Sequence, residues 1–352
     1  MNLFTPFRLR GIELKNRIVV SPMCEYSAKD GHPTNWHLVH LGSRAVGGAS
    51  LVFTEATGVS AIGRISPADT GIYLDSHLEA WRPIVAFIRE QGALSGIQLA
   101  HAGRKGSTAA PWLGGAPIAI EEGGWIPVAP SAIAFDTGYT IPKDLSVEEI
   151  DQVVADFAAA ARRALEAGFQ IVEIHSAHGY LLHEFLSPLC NRRMDEYGGS
   201  FENRIRLLLR VSGVVRELWP EQQPVFVRIS ATDWKENGWD LEQSVELSRR
   251  FKGLGVDLVD VSSGGAVPGV RIPTGPGYQV GLAAAIRREA GMATGAVGMI
   301  SEPTQADTII STGQADIVLL AREMLRDPYW PRRAAQALGV EIKPPVQYER
   351  AW

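Results

Sequence analysis

The chain has 352 residues, 45% hydrophobic and 21% charged, which is ample material for a buried core and excludes a disordered or fibrous chain. Its 34 basic and 39 acidic residues are scattered, with no basic run that could follow a phosphate backbone, so nucleic acid is not an expected partner. Two cysteines, Cys24 and Cys190, are too few for a disulfide framework, a four-cysteine zinc site or a cysteine-ligated iron–sulfur cluster. The opening residues hold no apolar core of signal-peptide length, and no apolar run approaches the roughly 20 residues that cross a bilayer, so a cytoplasmic protein without membrane contact is expected.

In chain order, eight short apolar runs read as strands: "RIVVSPM" (17–23), "LVFTEATGV" (51–59), "SGIQLAHAG" (95–103), "FQIVEIHSA" (169–177), "PVFVRISA" (224–231), "DLVDVSSGG" (257–265), "TGAVGMI" (294–300) and "ADIVLLAR" (315–322). Most are continuously apolar, as parallel strands buried on both faces must be. Amphipathic helices are predicted between them, near 75–91, 147–167, 201–219, 241–254, 281–290 and 303–313. The clearest is 147–167, where Ile150, Val153, Val154, Phe157, Ala161 and Leu165 form one stripe and Ser146 with Glu149 forms a capping box.

Length alone allows two average domains or one large barrel. Regular strand–helix alternation, without a linker or a composition break, predicts a single (β/α)8 TIM barrel over residues 1–352. The turn-rich segment from Arg104 to Asp144 carries five prolines and is expected to cap the barrel mouth as a lid at about 104–144.

Active sites of such barrels lie at the C-terminal strand ends, which makes the residues there the candidates. These ends carry Cys24 and Tyr26, Thr57 after Ala56, Gln98 and His101, His175 and His178, Arg228, Ser262 and Ser263, Gly298, and Arg322. The densest is "VEIHSAHGYLLHEF" (172–185), which admits a metal site, an acid/base and anion-binding site, or hydrogen-bonded core histidines. Residues 171, 173 and 175 share one strand face, so His175 and His178 serve one site only if the chain leaves the strand near Ser176. A metal would need a third ligand, and none stands nearby at familiar spacing. Two imidazole N–H groups holding an oxygen that gains negative charge fit better, with the Tyr180 phenol placed to give a proton. "GAVG" and "LLAR", after the last two strands, match the usual position of a barrel's phosphate pocket, with Arg322 as its cation. No Rossmann fingerprint or P-loop occurs.

Together, "RIVVSPMCEYSAKDG", "HLGSRAVGGASLVFTEATGV", "GIQLAHAGRK", "EIHSAHGYLLHEFLSPLCNRRMDEYGGSFENRIRLLLRV", "FVRISATDW", "GAVGMI", "LLAREMLRDPYW" and "PVQYERAW" resemble the Old Yellow Enzyme family of flavin-dependent ene-reductases, and within it the thermophilic-like bacterial class. The resemblance runs from about Leu3 to Trp352. It implies non-covalent FMN at the barrel mouth, with Ser21, Pro22, Met23, Cys24, Ala56, Gln98 and Arg228 around its ring. Gly298, Ala321 and Arg322 would hold its phosphate, and Cys24 would tune the flavin. His175 and His178 would bind the substrate's oxygen, Tyr180 would donate the proton and Tyr26 would shape the pocket. Arg350 would reach a neighbouring subunit's site, implying a homodimer or homotetramer.

The implied activity is that of an NADPH dehydrogenase that passes hydride by way of FMN to the β-carbon of an activated alkene. Ala321 departs from the family's usual glycine. A metal-dependent hydrolase or lyase built on His175 and His178 and a non-catalytic flavin-storage protein are the competing readings. Glu173, inside a strand, needs a buried partner, for which Arg228 on the next strand is the expectation.

Overall fold

Eight parallel strands close into a barrel in sequence order in this computed structural model, which describes residues 2–352. They are β1 (Ile18–Val20), β2 (Leu51–Gly58), β3 (Leu94–Ala100), β4 (Ile171–Ser176), β5 (Val225–Ser230), β6 (Leu258–Ser262), β7 (Ala293–Ala296) and β8 (Ile317–Leu320), with β8 pairing back to β1. The predicted (β/α)8 barrel is therefore the observed fold. All eight predicted strands are present, most of them shorter at their C-terminal ends, because those ends turn into the loops that carry the polar residues.

Around the barrel run α1 (Asn35–Val46), α2 (Asp75–Glu90), α3 (Val147–Ala167), α4 (Leu181–Leu186), α5 (Phe201–Leu218), α6 (Leu241–Leu254), α7 (Val280–Ala290), α8 (Pro303–Ser311), α9 (Arg322–Arg326) and α10 (Trp330–Ala337). The Ser146–Glu149 capping box starts α3 as expected. Helix α1 has no counterpart in the sequence reading. Its box is closed by the His37 ring, which accepts the Thr34 N–H at 2.9 Å in place of the usual Glu or Gln. Among the described residues, no helix is long and apolar enough to cross a membrane.

The period of two along each strand sorts side chains into two cores. Val172, Ile174, Val225, Val227, Ile229, Val259 and Val261 point outward and pack under the helices. Ile171, Phe226 and Leu258 point inward and meet Val19, Leu51, Phe53, Ile317 and Leu319 in a second, interior cluster. The inward series continues upward as Glu173, Arg228 and Asp260, then as His175, Ser230 and Ser262. The interior thus changes from apolar at its base, through a charged layer, to a polar rim.

An antiparallel hairpin of Phe7–Leu9 with Ile12–Leu14 covers the base, its Phe7, Leu9, Ile12 and Leu14 packing on the interior cluster. Segment 104–144 holds three-residue helical turns and the two-residue strand Val128–Ala129, which pairs with Lys143–Asp144. Its Arg104 donates to the Ile133 and Ala266 carbonyls, Lys105 lies over the Phe135 and Tyr180 rings, and Trp112 meets Tyr26 edge-on. This is the lid position expected from the sequence.

Candidate active site

Strand β4 ends at Ser176, and the chain turns sharply through His178 (φ 60°) and Gly179 (φ 74°). A β-carbon on Gly179 would lie 2.0 Å from the Gly265 carbonyl oxygen, so only glycine fits there. The turn brings the His175 ring 5.1 Å from that of His178 and 5.1 Å from that of Tyr180, both nearly perpendicular. The period-two argument required such a departure from the strand.

Each imidazole is anchored by one nitrogen. The Ala177 N–H donates to His175 Nδ1 (3.2 Å), and His178 Nε2 lies 2.8 Å from Ser262 Oγ. Burial, reinforced by the cations of Arg228 and Lys105, holds both imidazoles well below their ordinary pKa, so both are neutral at pH 7. Burial raises the Tyr180 phenol well above its usual value and keeps it protonated.

Below this rim, the Gln98 side-chain amide donates to Glu173 Oε1 at 2.8 Å, while Arg228 Nε lies 3.0 Å from Asp260 Oδ2. The expected Glu173–Arg228 pair is thereby replaced. Glu173 faces Gln98 across the β3–β4 register, whereas Arg228 faces Asp260 across β5–β6. Burial and the Asp260 charge push Glu173 up to about 8, although Arg228 and Gln98 oppose the shift. Asp260 rises to about 6 by burial, against the pull of Arg228. An irregularity in β2 between Phe53 and Ala56 sets Ala56 opposite Gln98, and Thr54 Oγ1 accepts the Gln98 N–H.

After β1, Ser21 is tied to β8 through its N–H to the Leu320 carbonyl, and its buried Oγ has no partner among the described residues. Pro22, Met23 and Cys24 follow, half-buried, in an irregular segment. Burial, with Asp69 and Glu55 nearby, raises the Cys24 thiol well above its usual value, so it is not a thiolate. Tyr26 is half-buried at φ 46°.

Beyond β7 and β8 a cavity of about 350 Å³ is lined by Gly298, Met299, Ala321, Arg322, Ser262 and Gln279, among others. Gly298 has φ 120°, and a β-carbon there would meet Gln279 Nε2 at 2.7 Å. Ala321, by contrast, has φ −103°, so its methyl group demands no left-handed backbone. Alanine at this position therefore carries no left-handed backbone strain.

Two residues around the site, Lys105 and His183, carried no role in the sequence reading. Lys105 Nζ donates to the carbonyls of His178 (2.8 Å) and Gly265 (3.1 Å), which binds the β4 turn to the β6 loop; burial lowers it to about 8. His183 Nδ1 accepts the Gly179 N–H at 2.9 Å, and its Nε2 stands 3.0 Å from Asp233 Oδ1 in a fully buried pair. His183 thus braces the turn that carries His178. The signal was its spacing of three from Tyr180, but the Asp233 partner, fifty residues on, was not visible in sequence.

His101 is also a bracing residue, its Nδ1 accepting the Gly103 N–H. Arg350 is exposed in the C-terminal segment, whose neighbouring Tyr348 and Trp352 lie against Tyr329 and Arg332, and the chain's own fold does not bring it to the rim. Among the described residues, no group of three His, Cys, Asp or Glu is arranged to hold a metal ion.

Neutral imidazoles and a phenol thus meet at the strand-end rim of a (β/α)8 barrel, over a buried guanidinium and beside a cavity lined by Arg322, the arrangement of a barrel enzyme's active site. The description "NADH:flavin oxidoreductase / NADH oxidase family" matches residues 2–341. An NADPH dehydrogenase of Geobacillus sp. (strain WCH70) is 51% identical over 352 residues, covering 99% of this chain and 98% of that one. The old yellow enzyme homologue of Zymomonas mobilis superposes with TM-score 0.80 at 29% identity, covering 99% of this chain and 96% of the other. A 2-naphthoyl-CoA reductase superposes with TM-score 0.88 at 26% identity; it covers 96% of this chain, which spans 52% of that longer protein. The chain belongs to the Old Yellow Enzyme family of NAD(P)H:flavin oxidoreductases.

Its cofactor is FMN and its reductant NAD(P)H. The residues present suit that group. The unpartnered Ser21 Oγ, the Arg228 cation in a buried layer, and the cavity of about 350 Å³ with Arg322 in its lining together offer hydrogen bonds, charge and space.

Proposed function

We propose that the protein is an NADPH-dependent ene-reductase that reduces alkenes activated by a carbonyl, nitro or imide group, with residues 1–352 acting as one catalytic unit. When bound, FMN would supply the two-electron hydride chemistry that links NADPH to the acceptor's β-carbon. The single observation that carries the reading is the convergence of His175, His178 and Tyr180 at mutual ring distances of 5.1 Å about His175.

Two neutral imidazoles hold the acceptor's oxygen by hydrogen bonds and stabilise the negative charge that gathers there. Tyr180, kept protonated by burial, gives its proton to the α-carbon. Tyr26, met edge-on by Trp112 of the lid segment, would shape the pocket. In this reading Ser21, Pro22, Met23, Cys24, Ala56, Gln98 and Arg228 would hold the flavin ring, and Gly298, Ala321 and Arg322 would hold the phosphate. NADPH and the alkene use the same pocket in turn. Arg350 completes a neighbouring subunit's pocket in a homodimer or homotetramer.

The proton-donor role is tested by stopped-flow measurement of the two half-reactions in Tyr180→Phe. Reduction of the bound flavin by NADPH is expected to stay within a few-fold of the parent, and reoxidation by an enone to slow by about 10²-fold or more. Equal losses in both would overturn the assignment.

A further inference from the structure

A neutral histidine has a single N–H, so holding an oxygen with both His175 and His178 requires each ring to be in the correct tautomer. For His175 the backbone fixes this. The Ala177 N–H donates to Nδ1, so that nitrogen carries no proton, and Nε2–H is free for a ligand. For His178 the nitrogens are reversed: Nε2 is the anchored atom, 2.8 Å from Ser262 Oγ, and Nδ1 is left for the ligand. His178 can donate from Nδ1 only if its Nε2 accepts, and that depends on where the Ser262 hydroxyl sends its proton.

The surroundings of Ser262 decide the direction. Gln279 Nε2 donates to the Val297 carbonyl at 2.8 Å, which can only accept, so Gln279 Oε1 is turned toward the two serines. That oxygen lies 2.5 Å from Ser263 Oγ but 3.5 Å from Ser262 Oγ. Ser263 holds it at 2.5 Å, whereas 3.5 Å is at the limit of a hydrogen bond, so the better acceptor for the Ser262 hydroxyl is His178 Nε2, 0.7 Å closer than Gln279 (2.8 Å against 3.5 Å). Cations at Arg228 and Lys105 and burial disfavour a doubly protonated ring, which would escape the choice.

We propose that Ser262 is a positioning residue that sets the tautomer of His178, donating to Nε2 so that Nδ1–H faces the pocket and the two histidines form a two-donor site selective for anionic oxygen. The inference deepens the ene-reductase reading and rests on it. If Ser262 instead accepted from Nε2–H, the pocket would present one donor and one acceptor, and would suit a neutral hydroxyl as well as an anion.

The test uses FMN-loaded protein labelled with ¹⁵N-histidine, with His178→Asn serving to assign the resonances. Long-range ¹H–¹⁵N correlations report the tautomer directly, and a titration with a para-substituted phenol above its pKa, followed through the flavin absorbance, reports oxyanion binding. The Nδ1–H tautomer of His178 is expected in the unsubstituted protein. Ser262→Ala is expected to shift it toward Nε2–H and to weaken phenolate binding about tenfold or more, while Ser262→Thr, which keeps a hydroxyl, restores both.

An Nε2–H tautomer in the unsubstituted protein would overturn the proposal, as would phenolate affinity unchanged in Ser262→Ala. A loss in Ser262→Ala not restored by Ser262→Thr, despite native-like FMN content, would also count against it. Failure of the parent reading looks different. The phenolate would then not bind the unsubstituted protein, or would bind equally to the His178→Asn and His175→Ala variants, whatever the tautomer.

Discussion

The two ends of the barrel interior use the same strands for opposite purposes. At the base, Ile171, Phe226 and Leu258 occupy the inward positions and are sealed by the Phe7–Leu14 hairpin, so water is excluded and the energy is that of apolar burial. Two and four residues further along the same strands, Glu173, Arg228 and Asp260 and then His175, Ser230 and Ser262 occupy equivalent inward positions. There every polar group needs a partner, and each that is found fixes the orientation of a reactive one. Stability is concentrated at one end and chemistry at the other, with the charged layer between them belonging to both.

That division can be broken experimentally, and the largest effects are expected in the two lower layers. Phe226→Ala opens a cavity in a fully buried site and should cost about 3–5 kcal/mol in urea unfolding, while phenolate affinity of the folded holoprotein stays within a few-fold. Arg228→Met removes the cation beside Asp260 and should cost a similar amount, about 3–5 kcal/mol, at pH 8. Asp260 already titrates near 6 because burial raises it, so protonating it relieves the uncompensated charge, and the defect should shrink by pH 5.

At the rim the order reverses. His175→Ala should cost only about 1–3 kcal/mol in unfolding, for the Ala177 N–H left without its acceptor, but weaken phenolate binding about 10- to 100-fold, the value of one hydrogen bond to a charged group. A large loss of stability without a loss of affinity would erase the distinction between the two ends.

Smaller effects sharpen the middle layer. The folded-state pKa of Glu173 is raised to about 8, so its contribution to stability is present below the unfolded value near 4.5 and is lost as pH rises toward 8. Glu173→Gln should accordingly flatten the stability–pH profile between those values, and an unchanged slope would show that Glu173 is not the group responsible. Smallest is truncation after Tyr348, which removes exposed Arg350; stability should be unaltered and turnover with alkenes reduced less than about tenfold. Identical kinetics would remove Arg350 from the site.

The same contrast explains what the sequence revealed. Base and outer core were legible because burial writes itself as apolar runs with a period of two or 3.6, and the eight strands and the cap of α3 followed from that. His175, His178 and Tyr180 were legible because they crowd one strand end. Their partners were not. Ser262, Asp233 and Lys105 act from other βα units, and only barrel closure brings Ser262 Oγ to His178 or Asp233 to His183. Glu173 shows the limit most clearly. Its need for a partner was evident from the sequence, but whether Gln98 or Arg228 met it depended on the inter-strand register. Helix α1 escaped notice because its capping box uses a histidine.

The most direct measurement of the central claim is an anaerobic titration of the purified, FMN-loaded protein with NADPH, followed by addition of an enone, a nitroalkene or a maleimide. One equivalent of NADPH should abolish the visible flavin absorbance, and one equivalent of activated alkene should restore it with formation of the saturated product. A flavin that NADPH cannot bleach, or one that bleaches but is not restored by any of the three acceptors, would contradict the ene-reductase assignment.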